Sequence, residues 1–160
     1  MTYPQRKRNR LLNYDYSSNG DYFVTICVNR MRHVFGQVSN ARMHLNSYGK
    51  IVEHAWFSLP RHYPNCFLDE SIIMPNHFHG IIHIENIKGD TKQHGLSEFI
   101  RAFKSFSSRR INELNPELNF RWKRSFYDHI SRDANDYLRI ARYIENNPAK
   151  WERDKFFKPD

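Results

Sequence analysis

Two apolar runs, Cys66–Met74 and residues 77–85, are separated only by Pro75-Asn76, and no other feature constrains the chain as much. Proline lacks a backbone donor and biases its predecessor towards extended backbone, so the pair ends one strand and starts the next. In the second run Phe78, Ile82 and Ile84 alternate against His77, His79, Ile81 and His83. Side chains along a strand point to opposite faces in turn, so His77 and His79 share one face, a single step apart. Neutral imidazoles fixed on a strand suit a divalent metal.

The other elements follow from periodicity and punctuation. Residues 22–28 are β-branched and aromatic, follow the turn signal Asn19-Gly20-Asp21, and predict a strand apolar on both faces. Residues 34–45 predict a β-hairpin with Ser39-Asn40 near its turn. Ile51, Val52, Ala55, Trp56 and Leu59 recur at helical spacing, with Ser47 as the expected cap and Pro60 as the stop. Residues 86–95 are polar and aperiodic, a loop. A helix then starts at Ser97 and Glu98, with Phe99, Ile100, Phe103, Phe106 and Ile111 as its apolar stripe, and ends at Asn115-Pro116. Residues 119–130 alternate as a strand or short hairpin. Asp133 or Asn135 caps a last helix that Pro148 stops. The main order of strand, helix, strand, strand, helix, strand is that of a split-βαβ, ferredoxin-like α+β fold with an additional C-terminal helix. Its first and third strands lie in the middle of an antiparallel sheet. Two helices cover one face, so the histidine pair is expected on a central strand.

At 160 residues the chain is sized for one domain, spanning 1–160 with a basic arm at about 1–13. A net charge of +8 favours polyanionic partners. No apolar run approaches the roughly 20 residues that span a bilayer, so a membrane partner is not expected. Cys27 and Cys66 sit singly in apolar runs as small buried residues, in keeping with a cytoplasmic protein. Candidate phosphate-binding cations are Arg6, Lys7, Arg8 and Arg10 in the arm, and Arg101, Lys104 and Arg109 on the polar face of the long helix.

Two histidines make an incomplete site, and His83, Glu145, Asn147, Asp128 and His129 are the candidates to complete it. Imidazole with amide or carboxylate oxygen suits Mg²⁺ or Mn²⁺; a structural zinc would want thiolates. On the last helix Tyr143 and Asn147 are four residues apart and share a face. A phenol with a reference pKa near 10 must lose its proton to attack, and a nearby cation favours that form.

Met74-Pro75-Asn76-His77-Phe78-His79-Gly80-Ile81-Ile82 resembles the His-hydrophobe-His signature of the single-tyrosine HUH transposases, a family that includes the group associated with repetitive extragenic palindromes. Residues 122–130 (WKRSFYDHI) and 143–148 (YIENNP) resemble two further blocks of that family, in the same order. The resemblance implies that His77, His79 and Asn147 hold a divalent metal, Mg²⁺ or Mn²⁺. It implies that Tyr143 attacks single-stranded DNA, leaving a 5′-phosphotyrosine and a free 3′-hydroxyl, and the cut is expected beside a hairpin. Tyr127 is the second candidate nucleophile, His129 is a supporting residue, and the protein acts as a monomer or homodimer. Two other functions fit the same fold, an RNA- or DNA-binding module and a hairpin-DNA regulator that does not cut. A binding module would want stacking aromatics where the central strand carries histidines.

Overall fold

The computed structural model describes residues 11, 14–89 and 93–157; the basic arm and its candidates Arg6, Lys7, Arg8 and Arg10 lie outside the described residues. In chain order the elements are β1 (Gly20–Cys27), β2 (Gly36–Ser39), β3 (Arg42–Leu45), α1 (Ser47–Phe57), α2 (Leu59–His62), β4 (Cys66–Met74), β5 (His77–Ile84), α3 (Leu96–Leu114), β6 (Tyr127–Ile130) and α4 (Ala134–Glu145). The main sheet is antiparallel with order β4-β5-β1-β6, so β1 and β5 occupy the centre as expected. β2 and β3 form a separate hairpin whose turn residues Asn40 and Ala41 both have positive φ, 51° and 58°.

The alternation in β5 divides the molecule into two layers. Phe78, Ile82 and Ile84, with Tyr22, Val24 and Ile26 of β1, pack under Trp56 of α1 and Phe99 and Phe103 of α3. On the opposite face Ile81 and Phe23 meet Ile140 and Ile144 of α4. This second cluster is small, and it packs the last helix against the sheet. Among the described residues no helix is long and apolar enough to cross a membrane.

Several local expectations are corrected. Asn46, not Ser47, caps α1, its side chain accepting from the Gly49 N–H at 3.0 Å. Pro60 does not end the helical region; it sits in the first turn of α2, where its missing N–H is no loss. α3 starts at Leu96 behind Gly95, without a side-chain cap. For α4 the choice falls on Asp133, which accepts from the Asp136 N–H at 2.8 Å. Only residues 127–130 of the expected 119–130 strand join the sheet. The preceding segment is held by one bridge, Val28 to Trp122, and by Asn112, whose amide bonds both backbone groups of Phe120.

Gly80 lets α1 approach the sheet. A Cβ there would stand 2.6 Å from the Trp56 ring and 2.8 Å from Phe78, whose rings pack at 4.5 Å. Gly80→Ala is therefore expected to lower unfolding free energy by about 1–3 kcal/mol through overpacking. Urea denaturation measures it, and unchanged stability would show that the indole moves aside freely.

Candidate active site

β5 presents His77 and His79 to the α4 side, buried to 0% and 1% exposure, with ring centroids 4.6 Å apart. Each Nδ1 is engaged by a neighbour. The Asn76 amide nitrogen donates to the Phe156 carbonyl at 2.8 Å, which leaves its Oδ1 to accept from His77 Nδ1 at 2.7 Å. Thr25 of β1, paired with His79 across the sheet, brings its Oγ1 to 2.8 Å from His79 Nδ1. An Nδ1 that donates fixes the tautomer whose Nε2 carries a lone pair. Both Nε2 atoms are buried without a hydrogen bond, and so is Oδ1 of Asn147. A buried polar atom left this way costs about 1–3 kcal/mol.

The α4 docking places the remaining groups. Ile140 and Ile144 face the sheet, so Tyr143 lies beside the histidines, its ring 5.3 Å from that of His79 and 6.2 Å from that of Phe23. Asn147, one turn later, is buried between the two sets of groups. Its amide favours the charged forms of His77 and Tyr143, against the desolvation that dominates both. Burial and the Asp154 carboxylate raise the Tyr143 phenol above its ordinary value, so it is protonated at neutral pH.

Asp154 is the group sequence reasoning missed. A 3₁₀ segment, Pro148–Arg153, carries the chain from α4 back over the histidines, with the Trp151 ring 5.9 Å and the Phe156 ring 4.7 Å from His77. Asp154 Oδ2 thereby lies 3.9 Å from His77 Nε2. Ligand atoms of His77, His79 and Asp154 fall within 4.8 Å of one another, a grouping able to hold a metal ion. The available signal was the aromatic set Trp151, Phe156 and Phe157, which a plain exposed tail would not carry.

The other candidates are separated from this centre. His83 bonds Asp21 at 2.8 Å. Glu145 is exposed and absent from the cavity wall. Asp128 pairs with Val24 and so belongs to the α3 face. His129, opposite Phe23 on the histidine face, lines the cavity and is held by Asp136 at 2.8 Å. Tyr137 hydrogen-bonds Asp69 and ties α4 to β4, and Tyr127 stands exposed on edge strand β6. The cavity, about 710 Å³, is lined by His79, Tyr143 and Asn147 and by five cations, Arg139, Arg142, Lys150, Arg153 and Lys155, against one carboxylate, Asp154. On α3, Arg101 and Arg109 are exposed, whereas Lys104 Nζ donates to the carbonyls of Lys123 and Arg124 at 2.7 and 3.1 Å.

An antiparallel sheet with this site, read with the match of an IS200-like transposase model to residues 18–147, defines the class: a transposase. The chain belongs to the IS200-like transposase family. It is 38% identical over 168 residues to an uncharacterised protein of Haemophilus influenzae, covering 95% of this chain and 93% of that one. Its fold is similar to that of a REP-associated tyrosine transposase bound to a REP hairpin, with a TM-score of 0.64 and 22% identity over 91% of this chain and 76% of that one. It is also similar in fold to a candidate transposase from Deinococcus radiodurans, with a TM-score of 0.53 and 18% identity over 86% of this chain and 95% of that one.

Burial lowers His77 to about 3 and His79 well below 6.5. Both therefore bind protons in the unfolded chain that they reject when folded, and their contribution is intact above pH 6.5 and lost as pH falls towards 3. At pH 5.5 both are therefore expected to cost stability. Denaturation of the metal-free protein between pH 7.5 and 5 tests this: a His77→Gln/His79→Gln variant should lose less stability over that range than the wild type. Equal losses would place the acid sensitivity elsewhere.

Proposed function

We propose that this transposase is a metal-dependent single-stranded DNA endonuclease and strand transferase that works through a 5′-phosphotyrosine at Tyr143. The observation that carries the reading is the set of three buried, unpartnered ligand atoms beside the tyrosine: Nε2 of His77, Nε2 of His79 and Oδ1 of Asn147. Lone pairs left this way on rigid elements fit a divalent cation, Mg²⁺ or Mn²⁺, with Asp154 as a further oxygen within reach. The ion, when bound, supplies positive charge to a phosphate oxygen and favours the phenolate form of Tyr143.

The chain's own residues do the rest. Tyr143 Oη attacks the phosphorus of an unpaired strand, its proton passing to solvent. The bond to the 3′-oxygen breaks, the 3′-oxygen takes up a proton, and the 5′ end stays on the tyrosine. The phosphodiester energy is kept in that bond, so a second 3′-hydroxyl can displace Tyr143 without a nucleotide cofactor. The five cations of the cavity wall hold the strand, and the whole chain, 1–160, acts as one domain whose arm at 1–13 adds phosphate contacts. The hairpin named for the REP-associated structure supports DNA with a hairpin beside the cut as the substrate.

Cleavage of a hairpin-bearing single strand with Mg²⁺ or Mn²⁺ tests the reading. His79→Ala should lose more than the roughly 10–100-fold typical of residues that only orient ligands. Asn147→Ala should cost far more than Glu145→Ala, because Glu145 points to solvent. Wild-type cutting by His79→Ala, or efficient cutting of a fully paired duplex, would exclude it.

A further inference from the structure

The chain turns sharply where β1 ends, at the rim of the histidine face. Cys27, the last residue of β1, pairs with His77, and the Val28 N–H donates to the Asn76 carbonyl at 2.9 Å. From the other side the Asn29 N–H donates to the Arg121 carbonyl at 2.9 Å, and the Met31 N–H closes the turn on the Val28 carbonyl at 2.9 Å. Further on, the Val34 and Phe35 N–H groups both donate to the Pro75 carbonyl, at 2.8 and 3.2 Å. The turn is thus pinned to the Pro75-Asn76 corner that leads into His77.

Inside it two residues that are not glycine, Arg30 and Met31, have positive φ, 60° and 54°. An L side chain crowds the following carbonyl in that region; glycine adopts it freely, and asparagine or aspartate at times. Among the described residues the other positive-φ positions that carry side chains have local reasons. Asn40 and Ala41 form a two-residue hairpin turn, which requires it of both, and Asn119 is of a tolerant type. Met31 is buried to 6% exposure, so its side chain gains packing where it stands. Arg30 gains nothing of the kind. It is exposed, and among the described residues its guanidinium enters no hydrogen bond or ion pair. Backbone strain that is held by its surroundings gathers at functional sites, and glycine would suit this backbone better. The use of Arg30 therefore lies in what its side chain meets outside the fold.

The charges around the turn indicate what that is. Arg121, bonded to Asn29, is exposed, and the ammonium groups of Lys123 and Lys155 both act on the Cys27 thiol, as does the Asp154 carboxylate. Lys155 also lines the Tyr143 cavity. A strand that passes the tyrosine and leaves beside Lys155 meets this turn next. A guanidinium forms paired, charge-assisted hydrogen bonds with a phosphate, and a rigid backbone aims them.

We propose that Arg30 is a positioning residue that anchors one backbone phosphate of the DNA strand outside the Tyr143 cavity, on the Lys155 side, and so sets which linkage lies at the tyrosine. This rests on the function proposed above and adds to it a contact that fixes the register of the strand.

Binding of single-stranded DNA by the full-length protein, carrying Tyr143→Phe so that no adduct forms, tests the contact by fluorescence anisotropy. Arg30→Gly should weaken binding roughly tenfold and flatten the slope of log affinity against log salt by about 0.7, as expected for one lost phosphate contact on a single strand. Arg30→Lys, which keeps the charge and the strained backbone, should keep the slope and lose less affinity. Neutral methylphosphonate linkages, placed one at a time, should reveal one position outside the scissile linkage that weakens binding by the protein with Arg30 and leaves binding by Arg30→Gly unchanged. With Tyr143 intact, Arg30→Gly should spread cutting over adjoining linkages. Its Mn²⁺ affinity should hold, and its melting temperature should hold or rise, because glycine suits the turn. Unchanged strand affinity, an unchanged single cut position or additive losses at every linkage would overturn the assignment. So would a loss that follows weaker Mn²⁺ binding, since the Asn76 amide also reaches the Met31 carbonyl, at 3.4 Å, and the turn would then act through His77 alone. Adduct formation by the protein with Tyr143 is assayed separately. An intact adduct with no effect of Arg30 removes this contact alone, whereas no adduct removes the function on which it rests.

Discussion

The packing of Ile140 and Ile144 against Ile81 and Phe23 is the contact on which the site depends. Without it α4 has no fixed rotation, and Tyr143 and Asn147 have no defined relation to β5. Burying two isoleucines contributes about 1.5–3 kcal/mol each, a modest hold for a twelve-residue helix. The Asp133 cap and the Tyr137–Asp69 tether add to it at the helix start. At the far end Pro148 and Trp151 are buried, so the chain leaves α4 by turning over the histidines and not into solvent.

That arrangement concentrates a cost in one place. Two imidazoles, an amide oxygen and a nearly buried carboxylate converge where burial opposes charge. The surrounding fold meets every secondary demand of these groups, with Asn76 and Thr25 on the two Nδ1 atoms, yet leaves the facing atoms unmet. Apolar side chains of similar volume would be more stable there. In the function proposed above, a cation bound at this point would offset that cost and would supply the charge that a raised Tyr143 phenol needs in order to ionise.

Much of this is legible in the sequence because it depends on short spacings. Alternation over residues 77–84 shows that His77 and His79 share a face, and four-residue spacing does the same for Tyr143 and Asn147. The central position of β5 follows from element order. The docking rotation of α4 was open at that level; Ile140 and Ile144 fix it only once Ile81 and Phe23 are known to lie opposite. Asp154 was illegible for a related reason, since its place depends on a turn beyond the helix stop and on Phe156 packing against His77. The same limit explains Lys104. A lysine on a cationic helix face looks like a phosphate contact until the residue 123–124 carbonyls are found beside it.

The most direct test of the central claim is the chemical identity of the bond formed with DNA. The protein is incubated with a cleavable single strand and Mn²⁺, denatured, digested with trypsin and analysed by mass spectrometry. Arginines place Tyr127, Tyr137 and Tyr143 on separate peptides: 125–132, 133–139 and 143–150. The account predicts a nucleotide on the 143–150 peptide and no adduct with Tyr143→Phe. An adduct on either other peptide, or cutting with no adduct at all, would contradict it.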